Sequence, residues 1–242
     1  MQKILGHMRR AVTEFGMLKD GDRIAVGVSG GKDSLVLLNG LALLRRFIGI
    51  SYEITAVTVD PHFGGKAENY GAISELCASL GIQYKVVDTQ IGEIVFDVRK
   101  EPNPCSLCSR MRRGALLGAA KELGCNKVAL GHNFDDVVET FVMNLTIEGR
   151  LGCFPPVCTL DDRDITLIRP LVFAPEKDIR AAARRSSLPV AKSGCPADGS
   201  TARQRIKSEL ADREKADRGF SERLFGALRR SGLDGWGFKE KR

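Results

Sequence analysis

The tightest constraint on the fold is a junction near the N-terminus. An apolar run, Arg23-Ile24-Ala25-Val26-Gly27-Val28, ends in Ser29-Gly30-Gly31-Lys32-Asp33-Ser34, and a helical pattern takes over from about Asp33 to Phe47. A short apolar run closed by a glycine pair and followed at once by a helix reads as a buried strand, a tight turn and a crossover helix. The glycines let the backbone approach an anion closely, and the first amides of the helix point at it. The Ser29 and Ser34 hydroxyls can donate to phosphate oxygens, and Lys32 can neutralise charge. This is not a Walker A loop, because Val26 stands where that pattern needs its first glycine and Asp33 where it needs Ser or Thr. A carboxylate beside a phosphate site makes sense if it helps to hold Mg²⁺.

The rest of the chain keeps the same rhythm. Strands are expected at 53–59, 82–87, 127–130 and 165–168, and helices at 2–18, 68–80, 109–123, 135–147 and 175–185. That alternation implies an α/β fold, a doubly wound parallel sheet with helices on both faces and ligands beyond the carboxyl ends of the strands. With 242 residues, 43% hydrophobic and 28% charged, the chain suits one large domain with an appendage. A disordered chain, a collagen and a membrane bundle are excluded. The longest nearly apolar stretch, Leu35 to Leu44, is broken by Asn39 and Gly40 and falls short of the ~20 residues of a membrane span. Residues 1–10 lack the apolar core of a secretory signal, so a cytoplasmic location and no membrane partner are expected. We place the main domain, with its N-terminal helix, at 1–210 and a basic helical tail at 211–242. Residues 203–242 carry twelve Lys/Arg against seven acids, within a net charge of +7 for the whole chain. This excess favours a polyanionic partner, and the tail reads either as solvated amphipathic helix or as an arm on RNA.

Seven cysteines, an odd number with no export signal, argue against a disulfide framework. Cys105 and Cys108 form a CxxC that opens a helix beside Arg110, Arg112 and Arg113, a setting that favours thiolate. Zinc, an iron–sulfur cluster and a redox disulfide all fit such a pair. No second CxxC exists and no histidine sits at ligand spacing, so Cys195, between Gly194 and Pro196, is the natural third ligand. Three thiolates on a cubane leave one iron open, which suits an enzyme that handles sulfur. Cys77 and Cys125 read as packing residues, and Cys153 and Cys158 as structural ones around Phe154-Pro155-Pro156.

Gly131-His132-Asn133-Phe134-Asp135-Asp136 follows the fourth strand, with Glu139 and Thr140 one turn on. Gly131 permits close backbone approach. The acids suit a helix N-terminus, and Asp136 is a candidate for nucleotide or Mg²⁺. Asp60, ending the second strand, is a candidate neighbour of the nucleoside.

The loop SGGKDS closely resembles the PP-loop of the ATP-pyrophosphatases, whose fold is adenine nucleotide alpha-hydrolase-like. Together with CSLCSRMRRG, GHNFDDVVET, Ile168-Arg169-Pro170-Leu171 and Cys195, it makes roughly residues 2–210 resemble the TtcA family of tRNA 2-thiocytidine synthetases. The resemblance implies that ATP, Mg²⁺ and a 4Fe-4S cluster serve to thiolate the cytidine at position 32 of tRNA. It assigns the cluster to Cys105, Cys108 and Cys195, ATP to Ser29, Gly30, Gly31, Lys32, Asp33, Ser34, Gly131 and Asp136, and Mg²⁺ to Asp33. It makes Lys32, Asp33 and the three cysteines the catalytic group. The implied partners are tRNA and a sulfur donor such as a cysteine desulfurase, and the resemblance leaves room for a homodimer. Two positions depart from the family pattern: Asn133 replaces a second histidine, and Lys192 stands where a further cysteine is common. The competing expectations are a thiouridine enzyme working through a cysteine persulfide, and a nucleotide-binding iron–sulfur sensor.

Overall fold

The computed structural model describes residues 1–65, 68–100, 104–161, 164–191, 194–197 and 202–237. Helix α1 (Gln2–Phe15) leads to β1 (Asp22–Gly27), α2 (Lys32–Leu44), β2 (Tyr52–Asp60), α3 (Gly71–Ser79), β3 (Gln83–Asp88) and α4 (Pro104–Glu122). Then come β4 (Lys127–Ala129), α5 (Phe134–Thr146), β5 (Val157–Leu160), β6 (Ile165–Ile168) and α6 (Glu176–Arg185), with α7 (Ala202–Ala216) and α8 (Phe220–Ser231) after them. Lys192, singled out from the sequence, lies outside the described residues.

The six strands form one sheet in the order β3-β2-β1-β4-β6-β5. β1 lies at its centre, parallel to β2 through Ile24↔Ile54 and to β4 through Ile24↔Lys127. β6 continues the parallel set, as expected. The edge strand β5 does not: it runs antiparallel to β6, and its four residues were not expected as a strand. Pro155 and Pro156 mask it in the sequence, because a proline pair usually marks a loop and is tolerated only at a sheet edge.

The central strands are buried on both faces, which is why they read as nearly continuous apolar runs. One face packs Ile24, Val26, Ile54 and Ala56 with α1, α2 and α6; the other packs Val57, Val128 and Leu167 with Leu116, Leu117 and Ala120 of α4. Helix α2 is buried almost all round, because α1 and α6 cover the side turned away from the sheet. Cys77 and Cys125 are buried packing residues, and Cys153 is buried with its Sγ donating to the Val137 carbonyl at 3.5 Å.

The chain turns from β1 to β2 on one side and returns to β4 on the other. Strands β1 and β4 therefore flank the point where the winding reverses, and a crevice opens there beyond their carboxyl ends. The loop after β1 is the glycine turn, and the loop after β4 is Gly131-His132-Asn133.

Candidate functional site

The glycine turn is built by its own side chains. Gly30 has φ +78°, a conformation that L side chains rarely adopt. The Ser34 hydroxyl donates to the Gly31 carbonyl at 2.9 Å and accepts from the Ser29 amide at 3.1 Å. Ser29 Oγ accepts from the Gly31 amide at 3.4 Å. The two serines thus close the loop over the N-terminus of α2, with Lys32 and Asp33 in its first turn.

Gly131 brings the second loop onto the first. A Cβ at this position would lie 3.1 Å from the Ser34 nitrogen and 3.2 Å from the Asp33 carbonyl carbon. Asn133 then caps α5: its side chain accepts from the Asp136 amide at 3.1 Å, while Asp136 Oδ2 accepts from the Asn133 amide at 2.9 Å. The same Asn133 donates through Nδ2 to Asp33 Oδ1 at 2.9 Å, joining the two loops. The departure from the family pattern therefore has a structural use.

Charge is balanced in two chains of contacts. Lys32 Nζ lies 2.9 Å from Asp33 and 2.8 Å from Glu176 at the start of α6, and Glu176 also takes Lys207 of α7 at 2.7 Å. Burial opposes both charges here, but the hydrogen bonds prevail: Lys32 is held above the usual lysine range and Glu176 is held down to about 2. On the other side Arg203 of α7 reaches Asp136 at 3.1 Å, Glu139 at 3.5 Å and Thr140 Oγ1 at 3.1 Å. Burial, with Asp136 nearby, pushes Glu139 up to about 7, and burial also raises Asp136.

Of these groups, Asp33 and Arg203 face a cleft of about 570 Å³. The phosphate turn lines it with Ser29, Asp33 and Ser34; α4 lines it with Ser109, Arg112 and Arg113; Gly131, His132, Phe154, Arg169 and Arg203 complete it. Arg169 donates to His132 Nδ1 at 3.3 Å, which places the imidazole proton on Nε2. Burial and the charges of Arg169, Arg203 and Arg113 hold the His132 pKa down to about 3, so the ring is neutral at working pH. Phe154 stacks beside it, with ring centroids 4.7 Å apart.

Helix α4 begins at Pro104, five residues before the expected start, so Cys105 and Cys108 stand one turn apart on it. Proline suits a first helical turn, where its missing N–H costs nothing. Cys105 is exposed, Cys108 is buried, and Cys195 is half-buried. Burial raises the Cys108 pKa, Arg112 opposes that, and Cys195 and Cys105 add to the rise. Ser109, next to Cys108, lines the cleft together with the phosphate turn, so the helix that opens with the cysteine pair forms one wall of it. Gly30 accepts at its carbonyl from Ala191 at 3.0 Å, so the segment leading to Cys195 departs from the phosphate turn itself. Among the described residues, the one ligand-type trio with donor atoms within 4.8 Å of each other is Asp60, His62 and Asp88.

Asp60 is not among the cleft's lining residues. It is 1% exposed, and its oxygens accept from the His62 amide at 2.9 Å and the Glu68 amide at 3.1 Å. It orders the loop after β2, which carries Glu68 against Gly194. Sequence reasoning missed Glu176, Arg203 and Lys207 as site residues. Their one signal was the four-residue spacing of Arg203 and Lys207 on a basic helix.

A family model described as the PP-loop domain matches residues 4–214. The tRNA-cytidine(32) 2-sulfurtransferase of Geobacter sulfurreducens is 39% identical over 230 residues, covering 94% of this chain and 89% of its own length. That of Teredinibacter turnerae is 37% identical, covering 95% and 76%. Among solved structures, the U34-tRNA thiolase NcsA from Methanococcus maripaludis with its [4Fe-4S] cluster superposes with a TM-score of 0.77 at 27% identity, covering 93% of this chain and 77% of that one. The match over most of its length places the chain in the PP-loop family and, within it, in the family of the tRNA-cytidine(32) 2-sulfurtransferases.

Proposed function

We propose that this chain is an ATP-dependent tRNA sulfurtransferase that replaces the C2 oxygen of a cytidine, at position 32, with sulfur. The observation that carries the reading is a cleft lined both by the phosphate turn and by α4, the helix that opens with Cys105 and Cys108. The names of relatives at 36–39% identity support tRNA and cytidine.

The residues divide the work as follows. ATP lies with its phosphates on the amides and hydroxyls of Ser29 to Ser34. Lys32 supplies positive charge from within the Asp33–Glu176 pair, and Gly131 lets the nucleotide approach between β1 and β4. Mg²⁺, held at Asp33, neutralises phosphate charge when bound. The tRNA backbone docks on Arg110, Arg112 and Arg113 and on the basic tail, so its affinity falls as salt rises. The target base leaves its stack to enter the cleft. There the cytidine O2 attacks the α-phosphorus, an O–P bond forms, and pyrophosphate leaves. The neutral His132, with its proton on Nε2, is placed to donate a hydrogen bond inside the cleft. A sulfide equivalent, which derives from a donor such as a cysteine desulfurase, then adds at C2 and AMP leaves with the oxygen. Cys105, Cys108 and Cys195 would hold a 4Fe-4S cluster, which when bound would supply iron able to carry sulfur.

The test is nucleoside mass spectrometry of tRNA from cells lacking the gene, incubated anaerobically with reconstituted protein, ATP, Mg²⁺ and sulfide. ATP-dependent 2-thiocytidine is expected. A thiouridine instead, the chemistry named for the NcsA neighbour, would keep the activation step and overturn the substrate. No new nucleoside, with cluster and ATP binding intact, would favour a sensor.

A further inference from the structure

We propose that Arg203, brought into the cleft by α7, is a nucleotide-contacting residue that grips the triphosphate opposite the glycine turn. The proposal rests on the ATP-dependent reading above and adds a contact from a part of the chain outside the two nucleotide loops.

Position is the first argument. Arg203 lines the same cavity as Ser29, Asp33 and Ser34. Helix α7 is fixed there by apolar packing, since Ile206 and Leu210 are buried against Val138 of α5. The residue is therefore delivered by a rigid element and not by a loose arm.

Orientation is the second. Nη1 faces Asp136 and Glu139, and Nη2 donates to Thr140. Among the described residues, Nε and the second hydrogen of Nη2 have no partner. The side chain keeps 41% of its surface exposed. A guanidinium with two anchors on one edge and unused donors on the other is pre-organised for the bidentate geometry that phosphate takes.

Charge is the third. Asp33 lines the cleft, and Asp136 stands behind it on the same Asn133 that holds Asp33, so a triphosphate would meet the repulsion of both. Lys32 is already engaged by Asp33 and Glu176. Arg169 is 5% exposed and committed to His132 and the Pro155 carbonyl. Arg112 and Arg113 line the cleft from α4, not from the α5–α7 side that holds Asp136. Arg203 is the cation on the Asp136 side with donors to spare.

The test compares Arg203→Gln/Glu139→Gln with Glu139→Gln alone, so that removing the cation leaves no extra buried carboxylate to unfold the helix. Arg203→Lys is the conservative third variant. ATP affinity is read by equilibrium dialysis with Mg²⁺ and no tRNA, which does not depend on the thiolation reading. Pyrophosphate release with tRNA is read in single turnover, and tRNA affinity by filter binding. The expected result is an ATP Kd raised about tenfold and release slowed about 10²-fold, the scale of losing one preorganised donor. Arg203→Lys should recover part of both, with the cluster absorbance and tRNA Kd unchanged. ATP affinity equal to that of Glu139→Gln would overturn the proposal, as would a loss confined to tRNA affinity. Should wild-type protein bind ATP yet release no pyrophosphate, the thiolation reading fails, and the dialysis comparison still decides the role of Arg203.

Discussion

Gly131 and Asn133 show how single residues hold two loops in register. Gly131 has no unusual φ, so its requirement is space: the backbone of Asp33 and Ser34 occupies the volume a Cβ would need. Gly131→Ala should push the start of α2 away by a few tenths of an ångström. We expect pyrophosphate release to fall at least tenfold while urea denaturation shows a loss of about 1–3 kcal/mol, the usual scale of overpacking. Asn133 has two tasks, capping α5 and holding Asp33. Asn133→Ala should cost about 1 kcal/mol of stability, as lost caps do, and should also raise the KM for ATP-Mg²⁺. Asn133→Ser, which keeps the cap and drops the tether, should recover the stability but not the KM. If Ser restores both, the bond to Asp33 has no functional weight. The cap was legible in the sequence, because Asn followed by two acids is an N-terminal signature. The tether was not, because its acceptor lies 100 residues away.

At the scale of elements, α2, α6 and α7 meet at one carboxylate and α5 and α7 at another, and the two titrate in opposite senses. Glu176 has its folded pKa lowered to about 2 from 4.5 by Lys207 and Lys32 against the cost of burial. Its stabilisation is complete above pH 4.5 and is lost as pH falls toward 2. Glu139 has its folded pKa raised to about 7 by burial and Asp136. Its protonated form favours the folded state, so that contribution is complete below pH 4.5 and is lost as pH rises through 7. Glu176→Gln should therefore destabilise the protein by roughly 1–3 kcal/mol at pH 7, after allowance for solvent screening, and much less near pH 3. Glu139→Gln should do the reverse, raising Tm at pH 8 relative to pH 5. Thermal melts of both variants across pH 3 to 8 check the pair; parallel curves would contradict the assignment. These contacts were illegible in advance for a definite reason. Strand and helix periods are local, and they gave β1, β2, β3, β4, β6 and most helices to within a few residues. A carboxylate shared by Lys32 and Lys207 is set by how three helices dock, which no period records.

At the scale of the molecule, the C-terminal helices bear on the site as well as on solubility. From its charge the tail reads as largely exposed, yet Trp236 is 0% exposed, edge-on to Phe15 and Phe225 with centroids 5.8 and 5.6 Å away. Arg229 is buried, pairs with Glu14 of α1 and donates to the Trp236 carbonyl at 2.8 Å. Trp236 Nε1 donates to the Phe154 carbonyl at 2.9 Å, and Asp234 accepts from the Cys153 amide at 2.7 Å. The end of the described chain thus fixes the loop whose Phe154 packs against His132 in the cleft. The signal was in the sequence, since Phe225, Leu228 and Trp236 are poor choices for solvent, but Trp236 meets Phe15 of α1, more than 200 residues earlier, and Phe225 meets Phe134 and Phe173. A boundary at residue 210 would make residues 211–242 a separate unit; the contacts argue for one cooperative body. As the single tryptophan, Trp236 reports on the tail, whereas far-UV circular dichroism reports on the helices of the whole chain. The two urea transitions should coincide, and Trp236→Phe should preserve that while shifting the midpoint down. Trp236→Ala should lose about 3–5 kcal/mol, the scale of emptying a large core site, and thiolation should fall with it as the Phe154 loop is released. A fluorescence transition that precedes the dichroism, with activity surviving it, would instead establish the tail as an independent appendage.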